Sequence, residues 1–177
     1  DLESMLKDAD DLGPDAWTPD TPISDGTTGF DLGGTWVELH AMGHKAHTDN
    51  DILVVLPDRN VIHTGDLVFN GLFPFMDPNG GGTARGWMDA LRGIIGRCDA
   101  ETAVVPGHGE ITDVDGVRAQ LAHFEHLFEA IGAEVDKGTP LEEVKAMTWP
   151  FMEGLGFERI RERGNEFVYN EITAGRE

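Results

Sequence analysis

The stretch that most constrains the fold runs from Val61 to Phe69 and reads Val-Ile-His-Thr-Gly-Asp-Leu-Val-Phe. Val61 and Ile62 are β-branched and predict a strand, because such side chains fit a pleated surface. The Thr64-Gly65 pair predicts that the strand stops there and presents Asp66 beside its end. An aspartate in that position is usually a turn former, so Asp66 alone indicates no function.

Two histidines occupy comparable positions. His47 precedes the apolar run from Ile52 to Leu56, and His108 follows the apolar pair Val104-Val105. Loops that are fixed by a rigid scaffold commonly carry ligand-binding side chains. If the strand at Val61 pairs with the run 52–56 and lies parallel to the strand before His108, all three side chains meet at one sheet edge. Donor atoms that share metal ions then lie within roughly 3–6 Å of one another.

Three short motifs carry a resemblance to a known family. They are Gly43 followed by His47-Thr48, then Thr64-Gly65-Asp66, then Pro106-Gly107-His108-Gly109. In order and spacing they resemble the second half of the metallo-β-lactamase superfamily, and the match is closest to the glyoxalase II-like hydrolases. The family's first motif, His-x-His-x-Asp-His, does not occur in the 177 residues. The resemblance therefore implies the C-terminal part of such a protein.

The fold class that this resemblance implies is α/β. Residues 1–177 are expected to form a single incomplete domain, the C-terminal half of an αββα sandwich whose first half is absent from the chain. A mixed sheet should be covered by helices on one face, and its other face should be apolar and exposed unless it is paired.

Local patterns place the elements of this half. Strands are predicted near residues 30–32, 36–39, 52–56, 61–62 and 102–105. Helices are predicted near residues 2–12, from 84 after a Thr83 cap, from 114 to about 135, from Pro140 to Met147, and in the C-terminal tail. Thr112 with Asp115 resembles an acidic variant of a capping box at the start of the longest helix.

The resemblance also implies roles for the three side chains. His47 would complete the shell of a first metal, Asp66 would bridge two metals, and His108 would bind the second. Imidazole and carboxylate ligands suit Zn²⁺, Fe²⁺ or Mn²⁺, and two zinc ions are expected in the intact protein. The chain supplies only one or two ligands per metal, so it is not expected to hold a full dinuclear site alone. His44 is left open as an auxiliary ligand.

The implied activity is that of a metal-dependent hydrolase, in which a metal-bound hydroxide attacks an ester, thioester, lactone or amide. Two alternatives remain open. The chain could be a non-catalytic half-domain that acts by association with a complementary chain, or part of an iron-dependent oxygen or sulfur enzyme of the same superfamily. The expected partners are a small-molecule substrate and the missing first half, or a partner chain that supplies it.

The loop from Asn70 to Gly82 leaves directly from Asp66 and contains Phe73 and Phe75. Its position favours these two rings as substrate-binding residues, whereas its lack of periodicity is equally typical of an ordinary packed loop.

Charge excludes some partners. The chain has 33 acidic and 13 basic residues, a formal charge of −20. Phosphates need Lys and Arg, so nucleic acid and anionic membranes are not expected as partners. A salt-adapted host and simple solubility both account for the charge. The compartment is unknown, and cytoplasmic is only the default because the true N-terminus is expected to lie outside this chain.

Overall fold

A computed structural model describes residues 21, 23, 26–77 and 79–175. Its strands are Thr27–Asp31 (β1), Trp36–Ala41 (β2), Ile52–Leu56 (β3), Val61–Phe69 (β4) and Ala103–His108 (β5). They form one sheet in sequence order, with β1 to β4 antiparallel and β5 parallel to β4. The sheet is therefore mixed, and the parallel pairing of the last two strands is the one that convergence of the three motifs requires.

Within the described ranges the α-helices are Ala84–Ile95 (α1), Val114–Lys137 (α2), Leu141–Ala146 (α3) and Arg161–Ala174 (α4). Helix α1 buries Trp87, Leu91 and Ile94, which recur at the spacing of one helix face. The Thr83 side chain accepts a hydrogen bond from Gly86 N, so the predicted cap is confirmed. No helix of the described residues is long and apolar enough to cross a membrane.

Two predicted helix starts are wrong by one residue. The cap of α2 is Asp113, whose carboxylate accepts from Asp115 N, and not Thr112. Aspartate accepts this bond as well as threonine does, so a sequence with both side chains leaves the choice to the backbone. Helix α3 begins at Leu141, and Pro140 is its N-cap rather than its first helical residue. The helix predicted near residues 2–12 lies outside the described residues.

One face of the sheet carries the core. Leu53, Ile62 and Val104 are at most 3% exposed and belong to one cluster with Leu91 and Phe124 of the helices. Cross-strand partners share a face, so the register places a second, largely apolar set on the opposite face. Phe30 and Ile52 belong to that set and are 42% and 39% exposed. The larger apolar side chains on this face are Phe30, Val37, Leu39, Ile52, Val54, Leu56, Val61 and Val105, and Thr28, Ala41, His63 and Ala103 share it.

Strand β4 does not stop at Thr64-Gly65, which corrects the sequence prediction. Gly65 has a φ of +51° and an open space where a β-carbon would stand. The pairing with β5 shifts at this residue, so the glycine forms a bulge and the strand continues to Phe69. A glycine at such a position bends the strand without ending it. Asp66 therefore lies inside β4, directly after the bulge.

A second irregularity in β4 is supported by the helices. Gly65 pairs with Pro106 and Phe69 pairs with His108, so β4 has extra residues between these pairs. The unpaired backbone groups find side-chain partners instead. Leu67 O accepts from Trp87 Nε1 at 2.7 Å and from Gln120 Nε2 at 3.0 Å, and Phe69 N donates to Gln120 Oε1 at 2.7 Å. Helices α1 and α2 thus fix the end of β4.

The C-terminal part of the chain returns to the same region. Phe73 N donates to Gly156 O at 2.9 Å, and Gly156 N donates to Gly71 O at 3.0 Å. Helix α4 also closes the start of α1, because the Glu171 carboxylate accepts from Ala84 N at 2.7 Å and Arg85 N at 3.1 Å. Carboxylate oxygens thereby satisfy amides that a helix N-terminus leaves free.

Candidate metal centre

His47 lies on the loop between β2 and β3, and neighbouring residues hold that loop closely. Thr48 N and Thr48 Oγ1 both donate to the Asp51 carboxylate, each at 2.9 Å. Thr48 also forms a bridge with Gly81. A β-carbon at Gly82 would overlap the carbonyl oxygen of His47. The backbone of His47 is therefore clamped between the Asp51 turn and the glycines that precede α1.

Asp66 lies on β4 after the Gly65 bulge, and His108 is the last residue of β5. Gly107 allows the two strands to approach at this point. A β-carbon on Gly107 would overlap Asp66 Oδ1 and stand 2.7 Å from Gly65 C. The glycine of the Pro-Gly-His motif is thus required by the close approach of β5 to the Asp66 carboxylate.

The structure brings the three predicted residues together. Asp66 Oδ2 lies 3.6 Å from His47 Nε2, and Asp66 Oδ1 lies 3.4 Å from His108 Nε2. Both distances fall inside the range of roughly 3–6 Å that we expect for donor atoms that share metal ions. That the residues bind metal stays a prediction.

Aromatic packing fixes the two imidazole rings. His108 stacks on Phe69 with ring centres 4.5 Å apart, and His47 packs against Trp87 at 4.8 Å. The side chains of His108 and Asp66 are 42% and 46% exposed, whereas that of His47 is 10% exposed. The carboxylate and the His108 ring are therefore accessible from solvent, while His47 lies at the buried end of the group.

Two imidazoles and a carboxylate are donors that suit a transition-metal ion. The two nitrogen to oxygen distances exceed those of usual hydrogen bonds, so strong bonds do not occupy the Nε2 atoms. Each Asp66 oxygen faces a different imidazole, so Asp66, His47 and His108 are the residues that would hold metal here.

The set does not form a complete site. Among the described residues, no group of three or more His, Cys, Asp or Glu side chains is disposed to hold an ion by itself. His47 Nδ1 is buried and has no hydrogen-bond partner in that part of the chain. Ligating histidines usually donate from their second nitrogen to an acceptor, so this atom also lacks its usual partner.

The remaining histidines have other surroundings. His44, the auxiliary candidate, is exposed, and its Nδ1 lies 3.1 Å from Lys45 O. His40 contacts Thr27 Oγ1 and Glu38 Oε2. His123 is 6% exposed and packs among phenylalanine rings. The other two also have contacts of their own: His63 accepts from Gly65 N, and His126 lies against Phe151.

The two predicted substrate-binding rings have packing partners. Phe73 is 3% exposed and meets His123 edge to face at 5.8 Å. Phe75 is half-buried and lies under the Arg163 guanidinium at 4.5 Å. These contacts favour the packed-loop alternative for Phe73, and a substrate role for either ring stays a prediction.

Sequence reasoning missed one residue at the site. Phe157 lies edge-on to the His108 ring at 5.8 Å, although 49 positions separate them in the chain. Gly154 and Gly156 precede it and permit the tight return of the chain. Those glycines were the only local signal, and they do not reveal which distant residue the ring contacts.

Comparison with known proteins bears on family and fold. A sequence profile described as the Metallo-beta-lactamase superfamily matches residues 2–108, more than half of the chain. No curated protein matches the sequence.

Several solved structures resemble the fold. A metallo-beta-lactamase from Pontibacter korlensis superposes with a TM-score of 0.54 at 23% identity, covering 71% of this chain and 55% of that one. The DIM-1 metallo-beta-lactamase gives 0.51 at 19%, covering 69% and 54%. The inverting sec-alkylsulfatase Pisa1 from Pseudomonas sp. gives 0.61 at 18%, covering 87% and 26%. The chain spans about half the length of the lactamases that it matches. The structural likeness shows the fold, and the profile match shows that this chain belongs to the metallo-beta-lactamase superfamily.

Proposed function

We propose that the chain is the C-terminal part of a metal-dependent hydrolase, in which His47, Asp66 and His108 are metal ligands. The observation that carries the proposal is the position of Asp66, whose two oxygens face the Nε2 atoms of two different histidines. An aspartate that served only as a turn former would not need glycine at position 107 or an imidazole on each side.

The three side chains have distinct tasks in this proposal. His47, held by its loop and by Trp87, presents Nε2 from the buried side. His108, stacked on Phe69, presents Nε2 from the exposed side. Asp66 lies between them and sets their separation. When bound, zinc ions would supply a water-derived nucleophile near neutral pH and would polarise the bond to be cleaved.

The proposed substrates are esters, thioesters, lactones or amides. The Gly-Asp and Pro-Gly-His-Gly motifs favour the glyoxalase II-like branch of the superfamily. Two of the structural neighbours carry the names of a beta-lactamase and of an alkylsulfatase, which supports hydrolysis as the reaction type and leaves the leaving group open.

The remaining ligands are proposed to come from a first half outside these 177 residues, in the same polypeptide or in a partner chain. The apolar sheet face that carries Phe30 and Ile52 supports this proposal, because large exposed apolar patches mark interfaces. His47 Nδ1, which has no hydrogen-bond partner among the described residues, is a further position that such a segment would satisfy.

The test is metal content measured on the protein with and without its first half, together with the variants Asp66→Asn and Asp58→Asn. Asp58 is exposed on the turn between β3 and β4 and serves as the matched control. We expect two metal ions per protein when both halves are present, a loss of metal and of ester hydrolysis in D66N, and no change in D58N. Unchanged metal content in a folded D66N protein would contradict the ligand assignment.

A further inference from the structure

Phe157 has an unusual backbone conformation. Its φ and ψ are 62° and 32°, in the left-handed region. Among the described non-glycine residues only Asn60 also has a positive φ. Asparagine tolerates this region because its short side chain bonds locally, whereas a bulky aromatic residue there is a genuine outlier.

The surrounding chain holds Phe157 in this conformation. Gly156 is tied on both sides by its bonds to Gly71 and Phe73. A β-carbon on Gly156 would stand only 2.5 Å from Leu72 Cδ2, so the chain passes close to the loop that follows β4. Phe157 O then accepts from Ile160 N at 2.9 Å and starts the 3₁₀ turn Glu158–Ile160. Strained residues persist where neighbours over-determine them, and they cluster at ligand-binding sites.

Core packing does not account for the ring. Phe157 is 39% exposed, whereas Phe69, the other phenylalanine that contacts His108, is 2% exposed. Phe69 supports the imidazole from the protein interior, and Phe157 stands at its edge on the solvent side at 5.8 Å. Phe157 thus contacts the His108 ring and is partly open to solvent, as are His108 and the Asp66 carboxylate that lies 3.4 Å from it.

We propose that Phe157 is a substrate-recognition residue, whose ring forms the apolar wall against which the hydrocarbon part of the substrate lies while the bond to be cleaved reaches Asp66 and His108. The proposal rests on the hydrolase function proposed above. The ring offers no polar group, so it can contact only an apolar part of the substrate. Among the substrates proposed above, we therefore expect those with an alkyl or aryl acyl group to bind best.

Two substitutions separate the ring from the backbone strain. Phe157→Ala and Phe157→Gly both remove the ring, but only glycine adopts a positive φ without strain. We expect the glycine variant to melt at a higher temperature than the alanine variant, and both to show the same loss of recognition. Leu32→Ala is the control, because Leu32 is exposed to 66% on the turn between β1 and β2.

The kinetic test uses the protein with both halves and three probes: p-nitrophenyl acetate, butyrate and octanoate. Both Phe157 variants should lose about 10-fold or more in kcat/KM for octanoate, mainly through KM, and little for acetate. Leu32→Ala should retain the wild-type ratio of kcat/KM for octanoate to kcat/KM for acetate. Equal losses for all three esters would overturn the recognition role and indicate a positioning effect on His108.

If none of the esters is hydrolysed, the hydrolase function is refuted, and the role of Phe157 is not. A binding test therefore decides the role of Phe157 by itself. The His108 imidazole signals are followed by NMR during titration with sodium octanoate and, separately, sodium acetate. We expect octanoate to shift them at lower concentration than acetate, and this preference to vanish in Phe157→Gly. No preference in the wild-type protein, or the same preference in the variant, would overturn the proposal. If the His108 signals shifted with tetramethylammonium and with neither carboxylate, the ring would recognise cations, and the proposal would also be overturned.

Discussion

Gln120 is the residue whose replacement should reveal how the helices support the centre. The side chain is 6% exposed and forms two hydrogen bonds with β4. It donates to Leu67 O and accepts from Phe69 N. In Gln120→Met the volume is nearly kept, so packing losses are small. Phe69 N then has no partner, which costs about 1–3 kcal/mol. Leu67 O loses the hydrogen bond from Gln120 and keeps the one from Trp87. The loss at Leu67 O therefore adds only about 0.5–1 kcal/mol.

The expected destabilisation is therefore about 1.5–4 kcal/mol, or a melting temperature lower by about 3–16 °C for a domain of this size. Urea denaturation measures it, and the midpoint should fall while the slope stays constant. Glu129→Met, an exposed change on the same helix, is the control and should stay within about 0.5 kcal/mol of wild type. A Gln120→Met protein as stable as this control would refute the reasoning, since Phe69 N must then be satisfied in another way.

Leu67 O accepts hydrogen bonds from both Gln120 and Trp87, so a double variant of these two residues provides a second test. Trp87→Phe removes the other donor to Leu67 O. Each single variant leaves that carbonyl one bond, and only the double variant leaves it none. The double variant should therefore lose about 1–2 kcal/mol more than the sum of the single variants. Additive losses would mean that the two side chains act independently.

Three further outcomes are expected. Glu171→Gln removes the charge that faces the first amides of α1 and should cost about 1–2 kcal/mol in urea denaturation, with a smaller loss at high salt. Gly107→Ala should displace the Asp66 carboxylate and lower both the metal affinity and the melting temperature. Gly93 on α1 has open space around it, so Gly93→Ala should stabilise the folded protein by about 1 kcal/mol. Equal effects of the two substitutions would contradict the close-approach argument. Burial, and secondarily the charge of His126, lowers the pKa of His123 to about 4. The unfolded chain therefore binds this proton before the folded chain does as the pH falls. The folded state has its full stability above about pH 6.5 and should lose up to about 3 kcal/mol of it by about pH 4. This loss of stability should be smaller in His123→Phe.

Strand order and site convergence were predictable because the signals are local. Apolar runs mark the strands, Pro57 to Asn60 marks the hairpin turn, and a hairpin places the start of one strand beside the end of the next. The parallel pairing of β5 then brings His108 to the same edge.

Other features depend on contacts between distant residues. The Thr64-Gly65 pair predicts a stop, but the bonds from Trp87 and Gln120 satisfy the backbone after the bulge and let β4 continue. No local pattern indicates which helices will supply such bonds. Phe157 was missed for the same reason, since its contact with His108 depends on how the segment after α3 folds back.

The bond between Glu171 and the start of α1 also has a consequence for the order of folding. It joins residues 87 positions apart, whereas the hairpin that carries His47 closes over residues 42–51 and the one that carries Asp66 over residues 57–60. Loop closure costs more entropy as the loop lengthens, so the hairpins are expected to form first and α4 to dock last. Substitutions at Glu171 should then accelerate unfolding and leave the folding rate almost unchanged.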